Sequence, residues 1–325
     1  MYRKIKQQLM GGGMDAGEAR AVTLLIMEKV CGMDTASALL APCDWGKADG
    51  EHAAEARRLR EAVDKIVGGE PVQYALGEAD FCGHAFHVEK GVLIPRVETE
   101  ELVEWVAQEE KAAHEEQATG EEQTALEEQA GHDASEKSHR QEERRLLDIG
   151  TGSGCIAVTL ASLLPQAKVE AWDVSEAALC IAEGNAKRMR ADVCFRKVDV
   201  LTEGMAEAEK RAGLYDAIVS NPPYICREEA AEMEANVLDH EPEVALFVPD
   251  DDPLLFYRQI ASMALVMLKS GGRLFFEINR RFGADTVEML RGMGYDDVEL
   301  RQDQFGNDRM VMATKVMNIA LASGR

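Results

Sequence analysis

The strongest constraint on the fold is an alternation of strand-like and helix-like segments that begins at Leu146. Short apolar runs typical of strands are separated by longer segments whose apolar residues recur at helical spacing. The predicted strands are RLLDI (145–149), KVEAW (168–172), VCFRKV (193–198), YDAIVS (215–220), GRLFFEI (272–278), DVELRQ (297–302) and RMVMATK (309–315). Repeated βα units predict an α/β domain with a doubly wound, mostly parallel seven-stranded sheet.

The last two predicted strands are joined only by the short segment DQFGND, residues 303–308. A parallel crossover needs a dozen or more residues, so these strands are expected to pair as an antiparallel hairpin at the end of the sheet. The predicted sheet domain covers residues 145–318.

Three further regions precede this domain. Residues 1–72 carry apolar residues at helical spacing and predict a helical domain. Residues 73–108 predict a short hairpin around a glycine turn, followed by a helix from VETEELVEWVAQ. Residues 109–144 hold twelve acidic residues against four basic ones and almost no aliphatic ones. That composition predicts either disorder or a solvated helical arm.

A glycine-rich turn follows the first predicted strand of the sheet, in LLDIGTGSGCIAV. Its spacing is G-x-G-x-G, with Cys155 where the dinucleotide fingerprint has its third glycine. Asp173 ends the second strand, where an acid can accept both hydroxyls of a ribose. Any βα turn favours glycine, but the combination predicts a nucleoside ligand at the carboxyl edge of the sheet. The predicted ligand-binding residues here are Gly150, Thr151, Gly152, Ser153, Gly154 and Asp173.

The third strand ends near Asp199 and Val200. Asp199 is placed to meet the adenine side of such a ligand, and Val200 to form an apolar wall beside it. Asp199 is equally well explained as a helix N-cap or a turn residue.

The fourth strand runs directly into Asn221-Pro222-Pro223-Tyr224. Alone, N-P-P indicates a turn, but ligands of open α/β sheets bind along this edge. If the nucleoside is S-adenosylmethionine, its methyl group would meet a nucleophile here. A planar NH2 group has a delocalised lone pair and needs two acceptors, for which the Asn221 side-chain oxygen and the Pro222 carbonyl are suited. Tyr224 could stack on the planar group and face the developing positive charge.

These motifs resemble those of class I S-adenosylmethionine-dependent methyltransferases that modify planar amino groups. The whole chain, apart from residues 109–144, resembles the HemK/PrmC family, which methylates the glutamine of the GGQ motif in peptide chain release factors. Further matching stretches are EPVQYALGEADFCGHAFHV, VLIPRVETEELVE, HEPEVALF, LLFYRQI, FFEI and GNDRMVMA.

The resemblance implies a class I methyltransferase fold and specific roles for the motifs. The glycine turn, Asp173 and Val200 would line the cofactor, and Asn221 would contact both cofactor and substrate. Pro222, Pro223 and Tyr224 would grip the glutamine amide, and the helical domain would help to bind a class 1 release factor.

Three positions depart from the family pattern. Val97 stands where the family usually has proline, VPDDDP (248–253) stands where it has glycines, and Asn279 replaces a glycine. The loop at 248–253 is expected to lie near the substrate side, so it bears on affinity for the partner rather than on chemistry.

Composition limits the kinds of partner that the chain is expected to bind and the compartment in which it is expected to act. The formal net charge of −23 opposes a partner bound mainly through phosphates, so no direct nucleic-acid contact is expected. Seven cysteines without CxxC spacing favour a reduced, cytoplasmic compartment. No apolar run approaches the length of a membrane span. The histidines and cysteines do not have the spacing of a zinc site, so no metal is expected.

Three alternatives stay open at this point. A glutamine methyltransferase for a ribosomal protein would carry the same motif. An adenine-N6 nucleic-acid methyltransferase would use the same geometry, but it should also show a basic face. A non-catalytic binding protein of this fold would be expected to have lost the glycine turn or the Asn-Pro-Pro-Tyr motif. Both motifs are intact.

Overall fold

The computed structural model describes residues 1–41, 52–129, 143–233 and 235–316. The chain divides into two compact units. The first, called here the helical unit, comprises residues 1–79, 87–94 and 232–242, and the second, the sheet unit, comprises residues 80–86, 95–231 and 243–325.

The helical unit begins with short helices that bury one apolar face each. They are α1 (Tyr2–Gly11), α2 (Ala16–Cys31), α3 (Thr35–Leu40), α4 (Ala53–Val67) and α5 (Val72–Leu76). Asp15 caps α2 by accepting hydrogen bonds from the backbone N–H groups of Gly17 and Glu18, and Gly32 ends it in the left-handed conformation. Ile26 and Leu59 lie in the shared core of this unit. The helical prediction is therefore confirmed for the described part of residues 1–72.

Strands β1 (Glu78–Phe81) and β2 (His84–His87) form the predicted hairpin. The next helix, α6 (Val97–Gln129), begins where the sequence predicts but continues into the acidic segment. Of the two alternatives for that segment, a helical arm holds as far as Gln129, and residues 130–142 lie outside the described residues. No helix in the described ranges is both long enough and apolar enough to cross a membrane.

The acidic segment is bracketed by a buried ion pair. Arg144 donates to the Glu110 carboxylate from Nε at 2.7 Å and from Nη2 at 2.5 Å, and Glu110 is buried. Arg144 also lies 3.6 Å from Asp216, at the start of a central strand. The two ends of the segment are therefore held together on the sheet unit.

Alternating strands and helices make up the rest of the chain. The strands are β3 (Arg145–Ile149), β4 (Lys168–Asp173), β5 (Val193–Lys197), β6 (Tyr215–Ser220), β7 (Ile225–Cys226), β8 (Phe247–Val248), β9 (Leu268–Glu277), β10 (Tyr295–Gln302) and β11 (Asp308–Lys315). The α-helices are α7 (Cys155–Leu163), α8 (Glu176–Met189), α9 (Gly204–Glu209), α10 (Ala235–His240), α11 (Glu243–Leu246), α12 (Leu255–Met267) and α13 (Gly283–Gly292). Two 3₁₀ helices lie at Arg227–Glu232 and Arg280–Phe282.

Within the described residues, seven strands form one sheet in the order β10-β11-β9-β6-β3-β4-β5. The neighbouring strands β9, β6, β3, β4 and β5 pair in parallel. β11 pairs antiparallel with both β9 and β10. The doubly wound sheet with an antiparallel terminal hairpin is thus confirmed. β7 and β8 form a small parallel pair of their own.

Both faces of the sheet are covered. In β9, Phe275 points into a core that includes Trp105 and Val158, while the next residue, Phe276, points into the opposite core with Tyr257. Burial on both faces explains why the central strands β3 and β6 are largely apolar rather than alternating. Each such aromatic contributes about 1.5–3 kcal/mol on burial. The helices cover the two faces of the sheet but not its edge. Polar residues lie at this edge, at the carboxyl ends of β3, β4 and β6.

Candidate active site

The glycine turn is a loop whose shape depends on left-handed backbone. Gly150, Gly152 and Gly154 have φ values of +78°, +54° and +81°. A Cβ added at Gly154 would lie 2.9 Å from the Cβ of Ala182, so α7 and α8 could not approach as they do. At Gly152 an added Cβ would meet no described atom within 4 Å. The loop therefore pairs a tight inner side with an open outer side.

Two predicted residues of this loop face inward. Thr151 and Ser153 are buried, and the Thr151 hydroxyl donates to Asp148 Oδ2 at 2.6 Å. The Ser153 carbonyl accepts from Asn185 Nδ2 at 2.7 Å. The Thr151 side chain and the Ser153 backbone carbonyl thus hold the loop in place.

Asp148 lies beneath the loop and is fully buried. Burial raises the pKa of its carboxyl from 3.8 to about 7, while the Thr151 hydrogen bond acts in the opposite direction. The glycine loop thus stands on a group that changes charge near neutral pH.

Asp173 joins the loop to the end of β4. Its Oδ2 accepts from the Gly152 N–H at 2.9 Å and its Oδ1 from the Ser175 N–H at 2.8 Å. Burial raises the pKa of this carboxyl. Each carboxylate oxygen can accept more than one hydrogen bond, so capacity remains for two hydroxyls of a ribose.

Asp199 and Val200 follow β5. Asp199 Oδ1 accepts from the Leu201 N–H at 2.9 Å, which is the turn role that the sequence left open. Val200 is half-buried, and its carbonyl accepts from Gln259 Nε2 at 2.8 Å. The structure places both after the strand next to Asp173, and their contact with a ligand stays a prediction.

Asn221 lies beside the glycine loop at the end of β6. A Cβ on Gly150 would be 3.9 Å from the Asn221 carbonyl oxygen, and Ser220 Oγ donates to the Ile149 carbonyl at 2.6 Å. The Asn221 side chain donates from Nδ2 to Thr99 Oγ1 at 3.2 Å. Among the described residues, nothing donates a hydrogen bond to Asn221 Oδ1 or to the carbonyl of the buried Pro222. Two acceptors are therefore available next to each other in the chain.

Tyr224 is held at both its hydroxyl and its backbone. Its hydroxyl donates to Glu277 Oε1 at 3.1 Å, and its carbonyl accepts from Asn279 Nδ2 at 3.0 Å. Burial, with the nearby Glu277 charge, raises the pKa of Tyr224 well above its ordinary value, so the phenol stays protonated. Asn279, which departs from the family pattern, thus contributes a contact that glycine could not make. Pro223, between the two fixed residues, is half-buried.

No role was predicted from the sequence for the two side chains that contact this segment, Thr99 and Glu277. Thr99 Oγ1 donates to Glu277 Oε2 at 2.5 Å, and both residues are almost fully buried, at 2% and 1% exposed. Burial raises the pKa of Glu277, and the charge of Arg309 acts against that rise. A glutamate in the strand FFEI next to a predicted core was the available signal, because acids are rarely buried without a partner.

The donor set fits S-adenosylmethionine. The glycine loop has an open outer side that suits the methionine part of this ligand. The carboxylate at the end of β4 has spare acceptor capacity for the ribose, and the half-buried valine suits the base. No group of histidine, cysteine, aspartate or glutamate side chains that could hold a metal occurs within the described parts of the chain.

Sequence comparisons relate this chain to known methyltransferases. The sequence model of the family described as "Methyltransferase small domain" matches residues 135–240. A release factor glutamine methyltransferase of Bacteroides thetaiotaomicron is 42% identical over 298 residues, covering 92% of this chain and 93% of the relative. Relatives with the same description in Flavobacterium psychrophilum and Streptococcus pneumoniae are 42% and 38% identical and cover 74% and 79% of this chain, and 74% and 80% of their own lengths.

Proposed function

Because the chain belongs to the family of release factor glutamine methyltransferases, we propose that it methylates the N5 amide nitrogen of the glutamine in the GGQ motif of class 1 peptide chain release factors. It is an enzyme, a protein-glutamine methyltransferase that uses S-adenosylmethionine. The methyl donor, when bound, supplies an electrophilic methyl group to the substrate nitrogen.

The observation that carries the proposal is the pair of acceptors at Asn221 and Pro222. A glutamine side chain ends in an NH2 group with two N–H donors, and each needs an acceptor once the amide leaves water. Asn221 Oδ1 and the Pro222 carbonyl oxygen belong to consecutive residues and accept no hydrogen bond from the described residues. Gripping both N–H groups fixes the plane of the amide and points its nitrogen in one direction.

Electrostatics adds to this orientation. Transfer would break the methyl–sulfur bond of the donor as the new C–N bond forms, so positive charge would develop on the amide nitrogen until it loses one N–H proton. Two oxygen dipoles fixed in advance would stabilise that charge without reorganising. Tyr224 supplies an aromatic face beside the same segment, and its phenol stays neutral. Holding the two reactants in contact contributes several kcal/mol more.

Gly150, Thr151, Gly152, Ser153, Gly154, Asp173, Asp199 and Val200 are proposed to hold the cofactor. For Thr151 and Ser153 the contact would come from the backbone, since their side chains are buried. The helical domain at residues 1–72 is proposed to contribute to binding the release factor.

The proposed location is the cytoplasm, where release factors act on the ribosome. The six cysteines within the described residues carry free thiols, as expected in a reduced compartment.

The decisive test is transfer of labelled methyl from S-adenosylmethionine to a purified release factor. We expect incorporation into the wild-type factor and none into a factor whose GGQ motif is changed to GGA. Labelling of a ribosomal protein or of adenine in nucleic acid, with the release factor unlabelled, would overturn the assigned substrate.

A further inference from the structure

We propose that Thr99 and Glu277 are positioning residues that orient the Asn221 side-chain amide, with Nδ2 toward Thr99 and Oδ1 toward the substrate. The inference rests on the proposed function, because it concerns the atom of Asn221 that meets the substrate amide. It adds two residues, from α6 and β9, to a motif that otherwise lies within residues 221–224.

The argument starts from the number of protons available. An ionised carboxylate only accepts hydrogen bonds, and a threonine hydroxyl has one proton to donate. Thr99 Oγ1 lies 2.5 Å from Glu277 Oε2, a separation typical of a hydroxyl bound to a charged carboxylate. The single proton of Thr99 is therefore used by Glu277.

The polarity of the next contact follows. With its proton committed, Thr99 Oγ1 can only accept from Asn221, 3.2 Å away. Asn221 must then present its NH2 group to Thr99, which leaves Oδ1 as the exposed end of the amide. The opposite rotamer would place two acceptors against each other and would offer the substrate donors instead of an acceptor.

The same carboxylate also fixes the other end of the motif. Glu277 Oε1 accepts from the Tyr224 hydroxyl at 3.1 Å. One buried carboxylate thus orients both the amide and the aromatic ring. The charge of Arg309, on β11, favours the ionised form of Glu277 that this polarity requires.

The test compares three variants with one matched control. Thr99→Val removes the acceptor at constant shape, Thr99→Ser retains it, and Glu277→Gln makes both polarities possible. Thr286→Val is the control, because Thr286 is equally buried in the sheet unit and donates its hydroxyl to the Phe282 carbonyl at 2.8 Å, in α13. The full-length chain is used throughout, with kcat, KM for the release factor and S-adenosylmethionine affinity measured separately.

For Thr99→Val we expect kcat to fall by about 10–100-fold, the loss typical when a supporting partner of a functional group is removed. Cofactor affinity should stay unchanged. Thr99→Ser should recover most of the activity, and Thr286→Val should retain it. An unchanged kcat in Thr99→Val, or an equal loss in Thr286→Val, would overturn the inference.

Glu277→Gln is expected to lower kcat less and to change its pH dependence. In the wild type, protonated Glu277 could donate to Thr99 and release the Thr99 proton toward Asn221, so kcat should fall toward acid pH. The charged and titratable groups that face Glu277 are Glu98, Tyr224, Tyr257 and Arg309. Replacement by glutamine should remove this acid limb, and an unchanged limb would contradict the role of Glu277.

A second readout does not depend on activity. In protein labelled with ¹⁵N-asparagine, the Asn221 side-chain NH2 signal is identified as the pair missing from Asn221→Ala. We expect it to shift in Thr99→Val and to stay in place in Thr286→Val. If release factor is not methylated while this signal behaves as expected, the proposed substrate fails and the positioning inference stands. If the factor is methylated and the signal does not move, the inference alone fails.

Discussion

The glycine loop and the Asn-Pro-Pro-Tyr segment lie side by side at one edge of the sheet, but they are held in place differently. The loop takes its shape from glycines at positive φ and from bonds to the end of β4, the next strand in the chain. Asn221 and Tyr224 are oriented by Thr99, 122 residues from Asn221, and by Glu277, 53 residues from Tyr224. The proposed cofactor side of the site is thus specified locally, and the proposed substrate side by distant residues.

The largest effect should separate the two sides. Asn221→Ala is expected to lower kcat by about 10²–10³-fold, as when one oriented group is removed from a transition-state site. Cofactor affinity should change little, because the loop keeps its own contacts. Labelled-methyl transfer and calorimetry measure the two quantities. Asn307→Ala, in the turn between β10 and β11, is the control, and full activity of Asn221→Ala would refute the role of the amide.

The converse change should act on the cofactor side. Asp173→Ala removes a carboxylate that accepts from Gly152 and is proposed to accept from ribose hydroxyls. Hydrogen bonds to charged groups contribute about 1.5–3 kcal/mol, so S-adenosylmethionine should bind roughly 10–100-fold more weakly. Calorimetry checks this, with Asp192→Ala at an exposed position as control. The same affinity in both variants would contradict the ribose assignment.

Asp148, which lies beneath the glycine loop, should make the free energy of unfolding depend on pH. Burial raises the pKa of Asp148 from 3.8 to about 7, so the folded state binds this proton more tightly than the unfolded state. The resulting stabilisation is complete below the unfolded pKa and is lost as the pH rises through about 7. From pH 6 to pH 8 the wild type should lose about 1 kcal/mol relative to Asp148→Asn.

Urea unfolding of the wild type, Asp148→Asn and the exposed control Asp192→Asn at the two pH values measures this difference. If the wild type and Asp148→Asn show parallel pH dependence, Asp148 does not titrate in this range.

The smallest effect concerns a segment that supports neither side of the site. Deleting residues 112–140 leaves Glu110 and Arg144 in place, and these two residues already bring its ends together. The closure cost of a connection between fixed ends grows only with the logarithm of its length, by about 0.6 kcal/mol per doubling, and shortening the connection lowers that cost, so the deletion should not destabilise the fold. Unfolding should stay cooperative with a similar midpoint, whereas Glu110→Ala should destabilise more. Loss of cooperativity in the deletion variant would make the segment structural.

Much of the fold could be predicted because its signals are local. Most strands of the sheet contain a short apolar run, and the segment DQFGND is too short for anything but a hairpin. The length of α6 could not be predicted, since acidic composition is compatible with both a helix and disorder until the chain is placed against its neighbours. The burial of Thr151 and Ser153 could not be predicted either, because the Thr151 hydroxyl bonds to the buried Asp148 and the Ser153 carbonyl bonds to Asn185 of α8.

The sequence by itself determined the doubly wound sheet with its terminal hairpin and the glycine turn, and it predicted the type of nitrogen that an Asn-Pro-Pro-Tyr segment can bind, because periodicity, glycine conformation and functional-group chemistry act over a few residues. Tertiary structure alone decided how Asn221 is turned. Its orientation depends on one threonine proton and one buried carboxylate, which come together only when α6 and β9 pack beside β6. Hydrogen-bond polarity passes through space, and sequence spacing does not record it.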